Sequence, residues 1–412
     1  MAEAYKTARN HKMNKNLKRR IITMKRKLSL VLAVALLCGT FGILAAFTSS
    51  AAEYTAEINC KSAILMEAST GKILYEKNAD EALPPASVTK IMTLLLTMES
   101  IDSGKIKPDE KVTTSERAAS MGGSQVYLKV GEELTVEELV KCVVICSAND
   151  ATVALAEHIA GSEEAFVNMM NQKAAELGMK NTHFENTNGL DDTVKNHVTS
   201  ARDIALMSQA LIRHEKILTY SSTWMDSIRD GAFILTNTNR LVRFYPGANG
   251  LKTGSTSRAG FCISATAKRD NMQLICVIMG APTRDVRNDI ARTLLDFGFA
   301  NYGVYSYDGG DCGTLPVTGG ICDSVSLTAA PFSAILEKGA ISGVTTELVL
   351  PETLAAPLKA GDVVGHVIYK KGDEKIGESD ITVKADVEKI TFFSYFMRLL
   401  KQFVGLSEIG AE

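Results

Sequence analysis

The sequence contains little that could bind a metal or build a disulfide framework. It has only six histidines in 412 residues, and they show no metal-ligand spacing. Several of its eight cysteines lie in apolar runs, such as the run that ends at Cys146, where cysteine behaves as a small buried hydrophobic residue. We therefore expect no metal or other cofactor, and at most a pairing of Cys312 with Cys322 in a late loop-rich stretch.

The chain also lacks a strong excess of either charge. Its formal net charge is −2, and ten of its 45 Lys and Arg residues fall between Lys6 and Lys27, so the remainder is mildly acidic. Nucleic-acid binding requires a basic face on a folded domain, which this distribution does not provide. We find no internal repeat or low-complexity tract, and an apolar content of 46% is enough for two or three domains with hydrophobic cores.

The basic N-terminal stretch is followed by an apolar run over residues 28–47 and by small residues up to Ala52. This order is typical of a secretory signal that is cleaved at Ala52. A run of about 20 apolar residues could also span a bilayer uncleaved, so a signal anchor is the alternative. A start at Met24 would leave a compact basic segment before the run. In either case we expect the rest of the chain outside the cytoplasm.

Strands are predicted at both ends of residues 53–303, with helices between them. Thr135 and Glu138 form a capping box, which marks the start of one helix. The predicted elements are hairpins over 62–75 and 261–279, and helices from Pro85 to near Gly104, from Thr135 to about Cys146, over 151–159 and over 286–297. This order indicates an α+β domain in which a sheet packs on a helical cluster.

The C-terminal part of the chain has a different composition. Residues 304–385 are rich in Val, Thr and Gly and contain hairpins such as the one around Gly372, which predicts a small all-β domain. In the last segment, residues 386–412, an amphipathic helix rich in Phe is predicted over 387–406. It could be a core helix, a partner-binding helix or an interfacial membrane anchor. Its place at the end of a secreted protein favours the anchor.

Ser87 and Lys90 are the first candidates for chemistry. A serine hydroxyl is a poor nucleophile unless a base lies within hydrogen-bond reach, and residues three apart share a helix face. Ser87 also falls at a predicted helix start, where free N–H groups can stabilise an oxyanion. Lysine acts as a base only when its pKa is lowered by burial or by a second cation, for which Lys252 is a candidate. Alone, this spacing is common in capped helices with a solvated lysine.

Two further short motifs carry suitable groups. Ser147 offers a hydroxyl that can relay a proton, and Asn149 an amide that can hold a substrate carbonyl. In Lys252-Thr253-Gly254, the cation and hydroxyl can bind a carboxylate, and glycine lets a substrate strand approach the backbone. Each motif alone could be an ordinary polar loop or turn.

Together, Ser87-Val88-Thr89-Lys90, Ser147-Ala148-Asn149 and Lys252-Thr253-Gly254 occur in this order at spacings of about 60 and 105 residues. The set resembles the three motifs of penicillin-binding proteins and class A β-lactamases. The flanking segments at Gly123, Leu128–Glu132, Asn186–Leu190 with His197, and Tyr245–Gly247 are similar to low-molecular-mass D-alanyl-D-alanine carboxypeptidases of the Gram-positive type. This resemblance covers residues 55 to about 400.

The resemblance implies a role for each matching residue. Ser87 would be the acylated nucleophile, Lys90 its general base, and Ser147 the group that passes a proton to the leaving amine. The residues expected to bind substrate are Asn149, Lys252, Thr253, Gly254, Ser255 and Arg287, with the N–H groups of Ser87 and Ser255 as the oxyanion hole. One departure from the family pattern is Asn249, where relatives often carry aspartate, so the role of that residue stays open.

The family implies that the protein removes the terminal D-alanine from peptidoglycan stem peptides at the outer face of the membrane. β-Lactam antibiotics would then be covalent inhibitors, and no cofactor would be needed. A serine β-lactamase is one alternative, but no Glu-x-x-Leu-Asn motif follows Asn149 before Lys252. A catalytically silent wall-binding protein is another, and the intact set of motif residues argues against it. The oligomeric state is left open.

Overall fold

The computed structural model describes residues 54–192 and 194–403, with side chains up to residue 400. The predicted secretory segment, residues 1–52, and the last residues of the predicted C-terminal helix lie outside this range. The strands of the N-terminal part are β1 (Ser62–Glu67), β2 (Ile73–Lys77), β3 (Lys111–Thr113), β4 (Glu133–Thr135), β5 (Met225–Ile228), β6 (Phe233–Thr236), β7 (Ala248–Thr256), β8 (Gly260–Arg269) and β9 (Met272–Ala281).

Five of these strands form an antiparallel sheet in the order β2-β1-β9-β8-β7. Both predicted hairpins are confirmed, as β1 with β2 and β8 with β9. The helices are α1 (Lys90–Asp102), α2 (Glu116–Ala119), α3 (Val136–Cys146), α4 (Asn149–Ala160), α5 (Glu163–Glu176), α6 (Ala201–Ile212), α7 (Lys216–Ser221), α8 (Leu241–Phe244) and α9 (Arg284–Asn301).

The two faces of the sheet belong to two different hydrophobic cores, because successive strand residues point to opposite sides. In β1, Ile64 and Met66 pack into the large core of the helical cluster. Ala63 and Leu65 pack on the other face, in the core that α9 completes with Leu294. The predicted α+β architecture, a sheet packed on a helical cluster, is confirmed.

Local capping hydrogen bonds fix where helices α3 and α9 begin. At the start of α3, Thr135 Oγ1 accepts a hydrogen bond from the Glu138 N–H at 3.1 Å, and Glu138 Oε2 accepts one from the Thr135 N–H at 2.8 Å, so the capping box is confirmed. Helix α9 begins earlier and ends later than the predicted 286–297. It begins earlier because Thr283 Oγ1 accepts from the Val286 N–H at 3.2 Å.

The C-terminal part is built from strands around its own hydrophobic core, in which Tyr369 stacks on Phe332 with ring centroids 4.1 Å apart. Its elements are β10 (Tyr302–Tyr307), β11 (Gly310–Thr318), β12 (Ser324–Ala329), β13 (Phe332–Glu337), α10 (Lys338–Ile341), β14 (Val344–Val349), β15 (Leu354–Ala355), β16 (Val363–Lys371) and β17 (Glu374–Val383). Six of the strands form a sheet in the order β14-β16-β17-β12-β11-β15, and β10 pairs with β13 in a separate ribbon.

The ribbon of β10 and β13 contacts the N-terminal part directly. Ile335 of β13 is buried in the same core as Leu294 of α9, and its carbonyl oxygen accepts a hydrogen bond from Lys72 Nζ at 2.9 Å. The sequence places a boundary at residue 303, which falls inside β10. The hydrophobic core between the sheet and α9 is therefore completed by a strand from beyond that position.

The C-terminal helix α11 (Phe392–Phe403) begins five residues later than predicted. The predicted start at Val387 is wrong because Val387 belongs to the β-rich core: it is 3% exposed and pairs with Leu358. The apolar side chains that open α11 are exposed, Phe392 at 86% and Phe393 at 70%. Within the described residues, no helix combines the length and the apolar character needed to cross a membrane.

Candidate active site

Ser87 lies in a tight turn that leads into α1. Residues Ala86–Thr89 form one 3-10 turn, and Ala86 has a left-handed φ of 50°, which is a strained conformation for a residue with a side chain. Thr89 Oγ1 donates a hydrogen bond to the Ala86 carbonyl oxygen at 2.8 Å and holds this turn closed. Ser87 is half-buried and lines a cavity of about 610 Å³.

Lys90 is wholly buried beneath Ser87. Its Nζ lies 2.9 Å from Ser87 Oγ, 2.6 Å from Asn149 Oδ1 and 2.8 Å from the Asn188 carbonyl oxygen. A neutral amine has two N–H donors and one lone pair. The amide and carbonyl oxygens can only accept, so they take the two N–H donors and leave the lone pair for the Ser87 hydroxyl. The geometry therefore fits a neutral lysine that accepts the serine proton.

The electrostatics favour the same protonation state. Burial and the nearby charge of Lys252 hold the pKa of Lys90 well below its ordinary value of 10.5. Burial lowers the pKa of Lys252 to about 7, and the charge of Arg287 adds to this effect. Both lysines therefore give up a proton more readily than a solvated lysine does.

Ser147 and Asn149 lie at the break between α3 and α4, and Ser147 lines the cavity. Ser147 ends α3 with a left-handed φ of 66°, and its Oγ accepts a hydrogen bond from Lys252 Nζ at 2.9 Å. Asn149 begins α4, and its Nδ2 donates to the Gly122 carbonyl oxygen at 2.6 Å. This second bond fixes the amide with its oxygen toward Lys90.

Strand β7 forms the opposite wall and brings the third motif beside the nucleophile. A Cβ at Gly254 would lie 2.7 Å from the Ser87 nitrogen, so only glycine lets the strand approach this closely. Thr253 Oγ1 donates to Thr238 Oγ1 at 2.8 Å, which fixes its hydroxyl at the cavity wall. Ser255 is exposed and lines the same cavity.

Arg287 projects from α9 into the cavity wall, with only 3% of its surface exposed. Its guanidinium donates to the Cys262 carbonyl oxygen at 3.3 Å and twice to Asn288 Oδ1, which uses three of its five N–H donors. The structure thus brings all nine residues singled out from the sequence to one place. Six of them line the cavity, and Lys90, Asn149 and Lys252 are hydrogen-bonded to groups at its base.

Three supporting residues were not assigned a role from the sequence. The Asn188 carbonyl oxygen is the third partner of Lys90, and a Cβ at Gly189 would lie 1.9 Å from the Ala86 carbonyl oxygen. Asp150 is fully buried and accepts hydrogen bonds from the Val126 and Leu128 N–H groups, both at 3.0 Å. The only sequence clue was that the 186–190 segment matches the family pattern, which says nothing about a backbone oxygen.

His197 is the fourth such residue. It is 3% exposed, and its Nδ1 accepts a hydrogen bond from the Glu185 N–H at 2.9 Å. Nε2 must then carry the proton, and it donates to Thr89 Oγ1 at 2.8 Å. Burial lowers the pKa of His197 to about 4, so the imidazole is neutral at physiological pH.

The described residues contain no group of three or more His, Cys, Asp or Glu side chains that could hold a metal ion. Cys312 and Cys322 are both unpaired in the structure. What the cavity contains instead is a serine with a buried amine as base, a second serine bonded to a second lysine, and a cationic wall. This is the constellation of a serine acyl-transfer enzyme with a Ser-Lys dyad.

Comparisons with known proteins agree with this class. Residues 46–283 match the D-alanyl-D-alanine carboxypeptidase family, and residues 307–389 match the C-terminal domain of penicillin-binding protein 5. The chain is 43% identical over 386 residues to the D-alanyl-D-alanine carboxypeptidase DacF of Bacillus subtilis, which covers 92% of this chain and 98% of the relative. The chain belongs to the D-alanyl-D-alanine carboxypeptidase family.

Solved structures show the same likeness. Penicillin-binding protein 5 of Haemophilus influenzae superposes with a TM-score of 0.72 at 33% identity, covering 82% of this chain and all of the other. Penicillin-binding protein D2 of Listeria monocytogenes, in its ampicillin-bound form, gives a TM-score of 0.55 at 31% identity over 60% of this chain and all of the other. These likenesses favour a carboxypeptidase over a β-lactamase or a silent wall-binding protein.

Proposed function

We propose that the protein is a serine carboxypeptidase that removes the terminal D-alanine from peptidoglycan stem peptides through an acyl-enzyme on Ser87. The observation that carries the assignment of the nucleophile is the buried Lys90 Nζ, 2.9 Å from Ser87 Oγ, whose two N–H donors already have acceptors. Lys90 takes the proton as Ser87 Oγ attacks the carbonyl carbon of the penultimate D-alanine. Its low pKa keeps it ready to do so.

The leaving group is the terminal amino acid. As the C–N bond breaks, its nitrogen needs a proton. Ser147 relays this proton from Lys252 Nζ, which donates a hydrogen bond to Ser147 Oγ, because the Ser147 hydroxyl lies between the cavity and Lys252. The N–H groups of Ser87 and Ser255 stabilise the oxyanion from two sides, since Gly254 brings β7 against the Ser87 amide. Water then hydrolyses the ester and returns Ser87.

The polar and charged residues at the cavity indicate how the substrate binds. Asn149 holds the amide of the acyl part, while Lys252, Thr253 and Arg287 bind the terminal carboxylate. The positive charges of Lys252 and Arg287 favour an anion at this end of the cavity. β-Lactam antibiotics acylate the same serine in this scheme and act as covalent inhibitors.

A labelling experiment tests the nucleophile. The purified enzyme is treated with a fluorescent penicillin beside Ser87→Ala and the control Ser222→Ala, an exposed serine that does not line the active-site cavity. We expect label on the wild type and on Ser222→Ala only. Label that persists on Ser87→Ala overturns the mechanism. Release of free D-alanine from diacetyl-L-Lys-D-Ala-D-Ala tests the activity, and rapid nitrocefin turnover would instead mark a β-lactamase.

We also propose that residues 1–52 direct secretion and that the segment beginning at α11 anchors the enzyme to the outer face of the membrane. Seven large apolar side chains of the helix are at least 39% exposed, more than a helix packed in a core would leave open. The division into a peptidase domain, a β-rich domain and an anchor segment is part of this proposal, but the bounds 53–303, 304–385 and 386–412 need adjustment. The first boundary falls inside β10, and the second separates Val387 from the β-rich core.

The anchor is tested by truncation, and the position of the cut matters. A cut after Ala385 would also remove Val387 from the β-rich core, so the chain should end at Thr391. We expect the protein truncated at Thr391 to lose binding to vesicles with an anionic lipid fraction, while its unfolding transition is unchanged. Full binding by this truncated protein would count against the anchor. Sequencing the N-terminus of the mature protein tests cleavage at Ala52.

A further inference from the structure

One end of the active-site cavity has more positive charge than the proposed reaction uses. Three arginines line it, Arg240, Arg284 and Arg287, and none of the residues that line it is an Asp or Glu. Thr238, which accepts the hydrogen bond from Thr253, lines the same cavity. Arg287, which the proposed reaction assigns to the terminal carboxylate, is close enough to Arg284 and Arg240 for their charges to act on it. The excess charge therefore lies on the side of the cavity where the terminal carboxylate and the leaving group are bound.

Two of these arginines have no internal partner. Within the described residues, the side chains of Arg240 and Arg284 make no hydrogen bond or ion pair, whereas Arg287 is held by Cys262 and Asn288. Burial lowers the pKa of Arg287 to about 10, and the charges of Arg284 and Arg240 both add to this. The charges of Arg284 and Arg240 thus both repel that of Arg287, and a bound anion would relieve the repulsion.

The nearby aspartates distinguish Arg240 from Arg284. Arg240 also lines a separate cavity of about 280 Å³ together with Asp285 and Asp289, which offset part of its charge. Arg284 does not line that second cavity. Asp285 also follows Arg284 in the first turn of α9, so the difference between the two arginines comes from Asp289, which lines the second cavity with Arg240.

An apolar surface lies beside these charges. Phe244 is 62% exposed and forms an edge-to-face pair with Trp224, with ring centroids 6.2 Å apart, and both rings line the cavity. A methylene chain can lie on such rings while its charged end reaches a guanidinium. The cavity of about 610 Å³ has room for more than a terminal alanine on this side.

We propose that Arg284 and Arg240 form a second carboxylate subsite, through which the enzyme accepts leaving groups that carry a second carboxylate on an aliphatic side chain. This rests on the proposed carboxypeptidase function and extends its substrate class. The chemistry is unchanged: Ser87 Oγ attacks the D-alanine carbonyl, the C–N bond breaks, the amine leaves with one proton, and water hydrolyses the ester. Thr253 and Arg287 hold the α-carboxylate, and Arg284 with Arg240 holds the side-chain carboxylate.

Three synthetic peptides test the subsite, diacetyl-L-Lys-D-Ala followed by D-Ala, D-Glu or D-Gln. D-Gln has the size of D-Glu without its charge, so the ratio of the two kcat/KM values isolates the second carboxylate. We expect the D-Glu peptide to be favoured over the D-Gln peptide by about two- to fivefold at low salt, as for one exposed ion pair. The ratio should fall toward one as the salt concentration rises toward 1 M.

Variants assign the effect to residues. Arg284→Gln should reduce the ratio to near one and leave kcat/KM for the D-Ala peptide within about twofold. Arg240→Gln should have the smaller effect. Arg292→Gln is the matched control, an arginine of the same helix that is ion-paired with Asp289 at 3.2 Å and does not line the active-site cavity.

The outcomes separate the two proposals. If the wild type cleaves all three peptides with equal kcat/KM, or if Arg284→Gln keeps the full preference for D-Glu, the subsite is refuted while the carboxypeptidase function stands. If the enzyme releases no D-alanine from the D-Ala peptide, the proposed function itself fails.

Discussion

His197 Nε2 donates a hydrogen bond to Thr89 Oγ1 at 2.8 Å, and Thr89 Oγ1 donates in turn to the carbonyl oxygen of Ala86. The two bonds form a buried relay from the imidazole to the strained residue immediately before Ser87. His197 has no contact with the cavity, so it acts as a positioning residue.

The first prediction concerns this relay. His197→Gln keeps a donor near the Nε2 position, whereas His197→Asn keeps only an acceptor near Nδ1. We expect penicillin acylation to fall by about tenfold or more in His197→Asn and to recover in large part in His197→Gln, because a misplaced nucleophile loses orientation. The acylation rate constants are measured by stopped flow. Equal rates in the two variants would mean that the bond to Thr89 does not position Ser87.

The second prediction concerns stability in acid. The pKa of His197 is about 4 in the folded protein against 6.5 for a free imidazole, because burial disfavours the charged ring. Between these values the unfolded chain binds more protons, so stability falls as the pH drops from 6.5 toward 4, by up to about 3 kcal/mol. Urea unfolding at pH 7 and pH 4.5 measures this loss. His197→Gln should show a smaller loss over the same range, since glutamine does not titrate.

The third prediction separates the two lysines. The charge of Lys252 lowers the pKa of Lys90, so removing it in Lys252→Gln should raise that pKa and move the acidic limb of the acylation profile upward by about one pH unit. Lys252→Arg keeps the charge and should leave the limb near its original position. The profile is measured with penicillin from pH 5 to pH 10. If the acidic limb of the profile does not move in Lys252→Gln, the charge of Lys252 does not lower the pKa of Lys90.

The fourth prediction concerns the approach of β7 to the nucleophile. In Gly254→Ala the new methyl group would lie 2.7 Å from the Ser87 nitrogen and 2.9 Å from the Val88 nitrogen, both backbone atoms that cannot move alone. We expect a destabilisation of about 1–3 kcal/mol, as for other overpacked sites, and a loss of acylation by about 100-fold. Gly339→Ala is the control, since a Cβ there meets nothing within 4 Å.

The fifth prediction distinguishes core from surface near the C-terminus. Val387→Ala removes two methyl groups from the β-rich core and should cost about 1–3 kcal/mol in unfolding free energy without affecting vesicle binding. Phe392→Ala changes a side chain that is 86% exposed. It should weaken vesicle binding and leave the unfolding free energy unchanged. Calorimetry and vesicle sedimentation measure the two effects. Loss of vesicle binding in Val387→Ala alone would place the contact surface on the β-rich part instead.

The sequence predicts the elements around the site well where the cause is local. The capping box at Thr135 and the start of a helix after Pro85 depend on neighbouring residues only. The capping box appears as expected, whereas the segment after Pro85 begins as a 3-10 turn and becomes α-helical at Lys90. The start of α11 was missed because Val387 is apolar at a helical spacing and gives no local sign of its pairing with Leu358. That pairing joins residues 29 positions apart along the chain.

The same distinction holds for the active site. The motifs and their spacing identify Ser87, Lys90 and Lys252 as candidate site residues because the side chains of these residues carry the reactive groups. The third partner of Lys90 is the backbone oxygen of Asn188, which every residue possesses, so no side-chain pattern can reveal it. The role of His197 likewise depends on two contacts that the fold creates, with Glu185 and Thr89.

The burial of Ile335 beside Leu294 has a consequence for synthesis of the chain on the ribosome. The residue that closes the core behind α9 is translated more than thirty positions after the last residue of that helix. A nascent catalytic domain thus leaves the exit tunnel with one side of its core still open to water. Expression vectors for the catalytic part should accordingly extend through Glu337, the end of β13, rather than stop at residue 303.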